Sequence, residues 1–122
     1  MLWQKKLNEL PVPPKVLASA GSTEMARVWI ANDALECILR VGGWQVAMGQ
    51  QGRPLDEARA WGVLLADLAR HASQALAKKE GRNADETLAQ IFASFSRELQ
   101  SPGAEVTGEF LAKLPSSPPS EP

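Results

Sequence analysis

Hydrophobic residues in the first third of the chain recur with the two-residue period of an extended strand. Between residues 26 and 31, Val28 and Ile30 fall on one side of such a strand, while Arg27, Trp29 and Ala31 fall on the other. Asn32-Asp33 follows, and both residue types tolerate the left-handed backbone of a tight reversal. The pattern therefore predicts the first strand of a β-hairpin and its turn.

A second strand is predicted from residue 35 to residue 41. It places Leu35, Cys37, Leu39 and Val41 on one side and Glu36, Ile38 and Arg40 on the other. Gly42-Gly43 ends this pattern. Residues 44–48 fit either a third strand or a loop.

The hydrophobic period then changes to that of a helix, which we expect to run from Gly52-Arg53-Pro54 to about Lys79. Pro54 suits a first helical turn, and Gly81 suits the residue after a helix end. Asp56 and Glu57 complement the positive end of the helix dipole. One stripe of this helix collects its apolar and small residues, namely Ala58, Trp61, Gly62, Leu65, Leu68, Ala69, Ala72 and Leu76.

A second amphipathic helix is predicted after Asn83, which stands three residues before Glu86 in the manner of a capping box. Ser101-Pro102-Gly103 ends it, and its apolar stripe consists of Leu88, Ile91, Phe92, Phe95 and Leu99. The order of elements is ββαα. The predicted fold class is therefore α+β, with a short antiparallel hairpin or small sheet packed against two helices.

A length of 122 residues is typical of one domain. We expect a proline-containing arm at residues 1–20, one α+β domain at 21–100 and a flexible Ser/Pro-rich tail at 101–122. Within the tail, Phe110, Leu111 and Leu114 form an apolar island. This island either docks on the domain or serves as a short ligand for another molecule.

Charge and cysteine content narrow the classes of function. Thirteen basic and fourteen acidic residues give a net charge of −1, so the chain as a whole does not encode attraction to phosphate backbones. The single cysteine, Cys37, cannot form an internal disulfide and fits a reducing compartment. No secretory or membrane-spanning run is present in the sequence, which predicts a cytoplasmic protein.

Three short stretches resemble one known family. They are Leu10-Pro11-Val12-Pro13-Pro14, then Arg27-Val28-Trp29-Ile30-Ala31-Asn32, and then Trp61-Gly62 with Leu65-Ala66-Asp67-Leu68-Ala69-Arg70-His71. Together they resemble a family of small, uncharacterised and mostly proteobacterial proteins classed as a domain of unknown function. The resemblance covers roughly residues 8–100. It implies a compact stand-alone bacterial domain and assigns no activity.

The sharpest candidate for chemistry is the group Asp67, Arg70 and His71. Positions 67 and 71 are one helical turn apart, so the carboxylate can lie beside the imidazole and orient it for proton transfer. A local salt bridge at the edge of the apolar stripe is the commoner use of such residues. A lone histidine with one distant cysteine is not a metal-ligand set, and no motif indicates a cofactor.

Self-association is the main functional expectation from the sequence. A two-stranded hairpin is marginal even when helices cover one of its faces, and its free edges invite pairing. If Val28 and Ile30 face the helices, Arg27, Trp29, Ile38 and Arg40 form the outer face and the interface; strand alternation allows the reverse equally. We expect a non-enzymatic homodimeric interaction or regulatory module. The alternative is a monomer whose arm covers that face through Leu7, Leu10 and Val12.

Two other functions compete with this expectation. A small-molecule-binding protein or minor enzyme would use His71, Asp67 and Arg70. A weak single-stranded nucleic-acid binder would use Lys5, Lys6 and Lys15 together with Arg27 and Arg40 beside Trp29, since sheets with aromatic and basic residues stack bases. The near-neutral charge and the absence of tyrosine disfavour nucleic-acid binding.

Overall fold

The computed structural model describes residues 6–44, 56–103 and 106–112, and it confirms the predicted α+β class and the ββαα order. A single helical turn, α1, comes first and is followed by a hairpin, two long helices and a third strand. Their bounds are α1 Pro14–Leu17, β1 Ala26–Ala31, β2 Ala34–Arg40, α2 Glu57–Glu80, α3 Ala84–Gln100 and β3 Val106–Leu111.

The hairpin forms as its sequence pattern predicts. Strands β1 and β2 are antiparallel, with Ala26 opposite Leu39 and Ala31 opposite Ala34. Asn32 and Asp33 both adopt positive φ angles, 54° and 62°, and they connect the strands as a two-residue turn. Two consecutive left-handed residues give the backbone a twist that matches the twist of the strands.

Side-chain and backbone caps define both long helices. Asp56 caps α2, because its Oδ1 accepts from the amide of Ala58 at 3.1 Å, and Gly81 ends α2 with a φ of 69°. Asn83 caps α3 by accepting from the amide of Glu86 at 3.0 Å, as the sequence predicts. Asp56 is thus the cap itself rather than a residue of the first turn.

The third strand, β3, is formed by residues that the sequence pattern placed in a flexible tail. It pairs in parallel with β2, so the sheet order is β1-β2-β3 and the connection between the parallel strands contains α2 and α3. Phe110 and Leu111 therefore dock on the domain as strand residues, while Leu114 lies outside the described residues. Residues 45–48 of the undecided loop or strand also lie outside them.

The first turn of α2 contacts the sheet at the end of β2. The Gly42 amide donates to both carboxylate oxygens of Glu57 at 2.9 Å, which ties the residue after β2 to the first turn of α2. Beside this contact Trp44 is buried and lies against Trp61 of α2. Among the described residues, Trp44 is the one large hydrophobic side chain that is buried.

The two long helices contact each other through small side chains. Ser73 of α2 and Thr87 of α3 are almost fully buried, and each hydroxyl donates to a carbonyl of the preceding turn of the chain at 2.7 Å. Several large residues of both predicted stripes remain exposed, namely Leu65, Leu68, Phe92, Phe95 and Leu99. Both helices thus have the predicted apolar stripes, but a single copy of the chain buries only part of each stripe.

Candidate functional site

The pairing of the three strands places seven apolar side chains on one face of the sheet. Opposite partners in the register share a face, so the set follows from the pairing alone. We call it the apolar sheet face: Val28, Ile30, Leu35, Cys37, Leu39, Val106 and Phe110. It contains no charged residue.

This apolar sheet face is open to solvent. Ile30 is 81% exposed, Phe110 is 66% exposed, and Val28 and Val106 are also more than half exposed. Only Cys37 and Leu39, on the central strand, are half-buried. Monomeric proteins rarely leave a contiguous patch of large apolar side chains in water, and such patches mark interaction sites.

The opposite face of the sheet carries Arg27, Trp29, Ile38 and Arg40, the four residues that the sequence proposed as an interface. The register places them on one face, with Arg27 opposite Ile38. Trp29, Ile38 and Arg40 are half-buried there. Arg27 remains exposed, and so do the β3 residues of this face.

Glu24 organises the basic groups on that opposite face. Its carboxylate accepts from Arg27 at 2.9 Å and 3.1 Å, and its backbone carbonyl accepts from Arg40 Nε at 3.0 Å. The hydrogen bond and the charge of Glu24 raise the pKa of Arg27 above its ordinary value. Arg27 is therefore already engaged within its own chain, and Lys5 of the proposed basic set lies outside the described residues.

An apolar groove of about 710 Å³ lies along α3 and reaches the sheet. Its apolar lining comes from Leu76, Ile91, Phe95, Leu99, Pro102 and Val106. Val106 also belongs to the apolar sheet face, so the groove and that face form one continuous surface. Arg82 and Glu98 are the charged residues of its lining.

The described part of the N-terminal arm, from residue 6 onwards, covers neither surface. Leu10 is 92% exposed, and Leu7, Val12 and Leu17 are also more than half exposed. Pro13 has the φ of −60° and ψ of 145° of a polyproline II residue. In a single copy of this chain these exposed arm residues therefore leave the apolar sheet face open. The monomer that the sequence allows has its arm on the opposite face, beside Arg27, and it stays an alternative.

The Asp67, Arg70 and His71 group is solvent-exposed on α2. Asp67 Oδ1 lies 2.9 Å from Arg70 Nη1, so the carboxylate pairs with the arginine three residues on. Among the described residues the His71 imidazole makes no side-chain hydrogen bond. His71 lines neither the groove nor the smaller cavity of about 170 Å³ beside Arg40. In the described part of the chain, no three His, Cys, Asp or Glu residues are grouped to hold a metal.

Two contacts of this region could not be predicted from the sequence. Glu57 was predicted only as a first-turn acid, yet it binds the amide of Gly42 fifteen residues earlier. The strand Val106–Leu111 has β-branched and aromatic residues, but its partner β2 is far away in the sequence. Only three-dimensional pairing shows that Val106 and Phe110 complete the apolar sheet face.

The fold defines a small α+β domain in which a three-stranded mixed sheet is joined to a helical hairpin. Residues 9–103 match the model of the domain of unknown function DUF5076, and the chain belongs to this family. No curated protein matches the chain. In the described residues no helix has the length and apolar content that crossing a membrane requires.

The chain is also similar to a solved structure from the photosynthetic bacterium Rhodopseudomonas palustrus, described as a putative pyruvate dehydrogenase. The two sequences are 25% identical, and the TM-score is 0.58. The match covers 84% of this chain and 93% of the other. The similarity therefore extends over nearly the whole of that chain.

Proposed function

We propose that this protein is a non-enzymatic, homodimeric interaction module of the bacterial cytoplasm, in which the apolar sheet face of each copy is buried against the other. The observation that carries the proposal is the exposure of Ile30 and Phe110 on a face without charges. The third strand widens the sheet beyond a hairpin. The premise of a two-stranded sheet, from which the sequence argument for a dimer started, is therefore wrong, and the exposed face is what supports the proposal.

Burying this face against a second copy has a clear driving force. Removal of apolar surface from water contributes about 25 cal/mol per Å². Two sheets that pack face to face lie about 10 Å apart and interdigitate their inner side chains. A two-fold axis makes the same face serve both copies, which is the commonest arrangement of soluble oligomers.

The described residues support association more than catalysis. The side chains of Asp67 and His71 are exposed, and the Asp67 carboxylate bonds Arg70 rather than the His71 imidazole. The location in the cytoplasm is supported by the unpaired thiol of Cys37, which lies on the apolar sheet face.

A pair of neighbouring substitutions tests the proposal. Ile30→Glu places a charge on the apolar sheet face, whereas Ala31→Glu places the same charge on the opposite face. Both residues are exposed in one copy, so neither change disturbs the fold of a single chain. Light scattering behind a sizing column should show a dimer for the wild type and for Ala31→Glu, and a monomer for Ile30→Glu.

Two outcomes would contradict this proposal. A wild-type protein that is monomeric at tens of micromolar would contradict the proposed dimer. A dimer that Ala31→Glu breaks and Ile30→Glu leaves intact would move the interface to the face of Arg27, Trp29, Ile38 and Arg40. Far-UV circular dichroism of each variant confirms that the chain is folded.

A further inference from the structure

The apolar sheet face is too small to hold a stable dimer by itself. Three strands at about 4.8 Å spacing and six residues at about 3.3 Å rise give a face of roughly 300 Å². A specific interface buries at least about 600 Å² on each partner. If the proposed dimer exists, a second contact must supply about as much area again.

The groove along α3 is the candidate for that second contact, because it is apolar and continuous with the apolar sheet face through Val106. The N-terminal arm is the candidate occupant, because Leu10 is almost fully exposed and covers nothing in its own copy. We propose, resting on the dimer above, that the arm of each copy lies in the α3 groove of its partner.

The dimensions of arm and groove agree. The seven residues from Leu7 to Pro13 span about 22 Å in polyproline II geometry. The α3 segment from Thr87 to Leu99 is about 18 Å long. Polyproline II has three residues per turn, so Leu7, Leu10 and Pro13 project from one side of the arm towards the groove.

A two-fold arrangement gives the arm of one copy access to the groove of the other. The arm joins the sheet at Ala26, which pairs with Leu39, and Leu39 pairs with Phe110. The groove begins at Val106, four residues away along the strands, a distance of about 13 Å. A two-fold axis perpendicular to the strands brings the Ala26 end of one copy over the Val106 end of the other.

Proline content makes this mode of binding favourable. Pro11, Pro13 and Pro14 fix φ and bias the residues before them to extended geometry. The arm is therefore partly ordered before it binds, which lowers the entropy cost of docking in an apolar groove. The described backbone of residues 6–13 forms neither helix nor strand, so it remains free to pair with a groove.

Thiol pairing between two differently marked full-length chains tests the proposal. Both chains carry Cys37→Ser, and one adds Leu10→Cys while the other adds Phe95→Cys. After coexpression and mild oxidation, we expect a disulfide between the two chains. The matched control replaces Phe95→Cys with Ala93→Cys, because Ala93 is exposed on the same helix but does not line the groove; it should give at most about a tenth of the product.

The possible results separate this proposal from the dimer itself. If light scattering shows a dimer but no disulfide forms between positions 10 and 95, the docking of the arm in the groove is overturned and the dimer is not. A single chain that carries both Leu10→Cys and Phe95→Cys gives a further result. If it forms the disulfide within itself in preference to a disulfide between two chains, the exchange of arms between copies is also overturned. A monomeric wild type overturns the proposed dimer and the arm together.

An equilibrium measurement gives an independent test. Leu10→Asp removes a buried leucine from each arm if the arm docks, and we expect the dimer dissociation constant to rise at least about tenfold. The same change at Leu17, which is exposed but lies outside the segment that spans the groove, should alter it less than about threefold. Equal effects at the two positions would overturn the specific docking of residues 7–13.

Discussion

Trp44 and Trp61 pack edge to face, with ring centroids 5.5 Å apart and ring planes at 75°. The pair joins the segment after β2 to the first turns of α2. Edge-to-face aromatic pairs contribute about 0.5–1.5 kcal/mol beyond the area that they bury. Together with the hydrogen bond from Gly42 to Glu57, this contact holds the sheet and the helical hairpin together.

Trp44→Ala should lower the free energy of unfolding by about 3–5 kcal/mol, because the change leaves a cavity next to Trp61. Trp44→Phe keeps a ring and removes an indole N–H that has no acceptor among the described residues, so its cost should be under half as large. Urea denaturation at one fixed protein concentration measures both. Equal losses for the two variants would show that the ring contact is not the stabilising feature.

Glycine substitutions on either side of this contact should have opposite signs. Gly42 has a φ of 88°, and an added Cβ would lie 2.6 Å from the backbone oxygen of Ala112, so Gly42→Ala should cost about 1–3 kcal/mol. Gly62 lies inside α2 with nothing within 4 Å of an added Cβ, and Gly62→Ala should stabilise the protein by about 0.5–1 kcal/mol. Thermal unfolding of the two variants tests the signs. A stabilising Gly42→Ala would mean that the backbone at Ala112 moves away.

The local parts of the fold were predictable from the sequence. Strand β1, the Asn32-Asp33 turn and the Asn83 cap depend on residues within a few positions of one another, and the structure confirms all three. Strand β3 depends on a parallel pairing with β2 across two helices. Its segment is surrounded by Ser and Pro, and it contains a Gly108 with a φ of 146°. Local propensity could not indicate that pairing.

Only part of the candidate site could be predicted from the sequence. Alternation along β1 and β2 assigns residues to two faces, but it does not say which face is left open. The structure leaves Val28 and Ile30 exposed, and the interface predicted from sequence, with Trp29 and Arg27 on the other face, stays a prediction. The partner of Asp67 was ambiguous as well, because Arg70 and His71 are both within one helical turn.

Thr87 tests how closely the two long helices approach each other. It is 1% exposed, and its hydroxyl donates to the Asn83 carbonyl, which also accepts from the Thr87 amide. Thr87→Leu adds volume between α2 and α3 and should cost about 1–3 kcal/mol. Thr87→Val has nearly the same shape and leaves that carbonyl satisfied, so it should cost about 1 kcal/mol or less. Chemical denaturation compares them. A tolerated leucine would indicate that the helices separate at low cost.

The exposed pair Asp67 and Arg70 gives a prediction that bears on the enzyme alternative. Their contact is 2.9 Å long and more than half exposed, so a double-mutant cycle with alanine should give a coupling of about 0.3–0.5 kcal/mol that disappears in about 1 M salt. The cycle between Asp67 and His71 should give no coupling, since the structure pairs the carboxylate with the arginine. Coupling between Asp67 and His71 above about 1 kcal/mol would show that the carboxylate holds the imidazole, which is the arrangement that proton transfer at His71 requires.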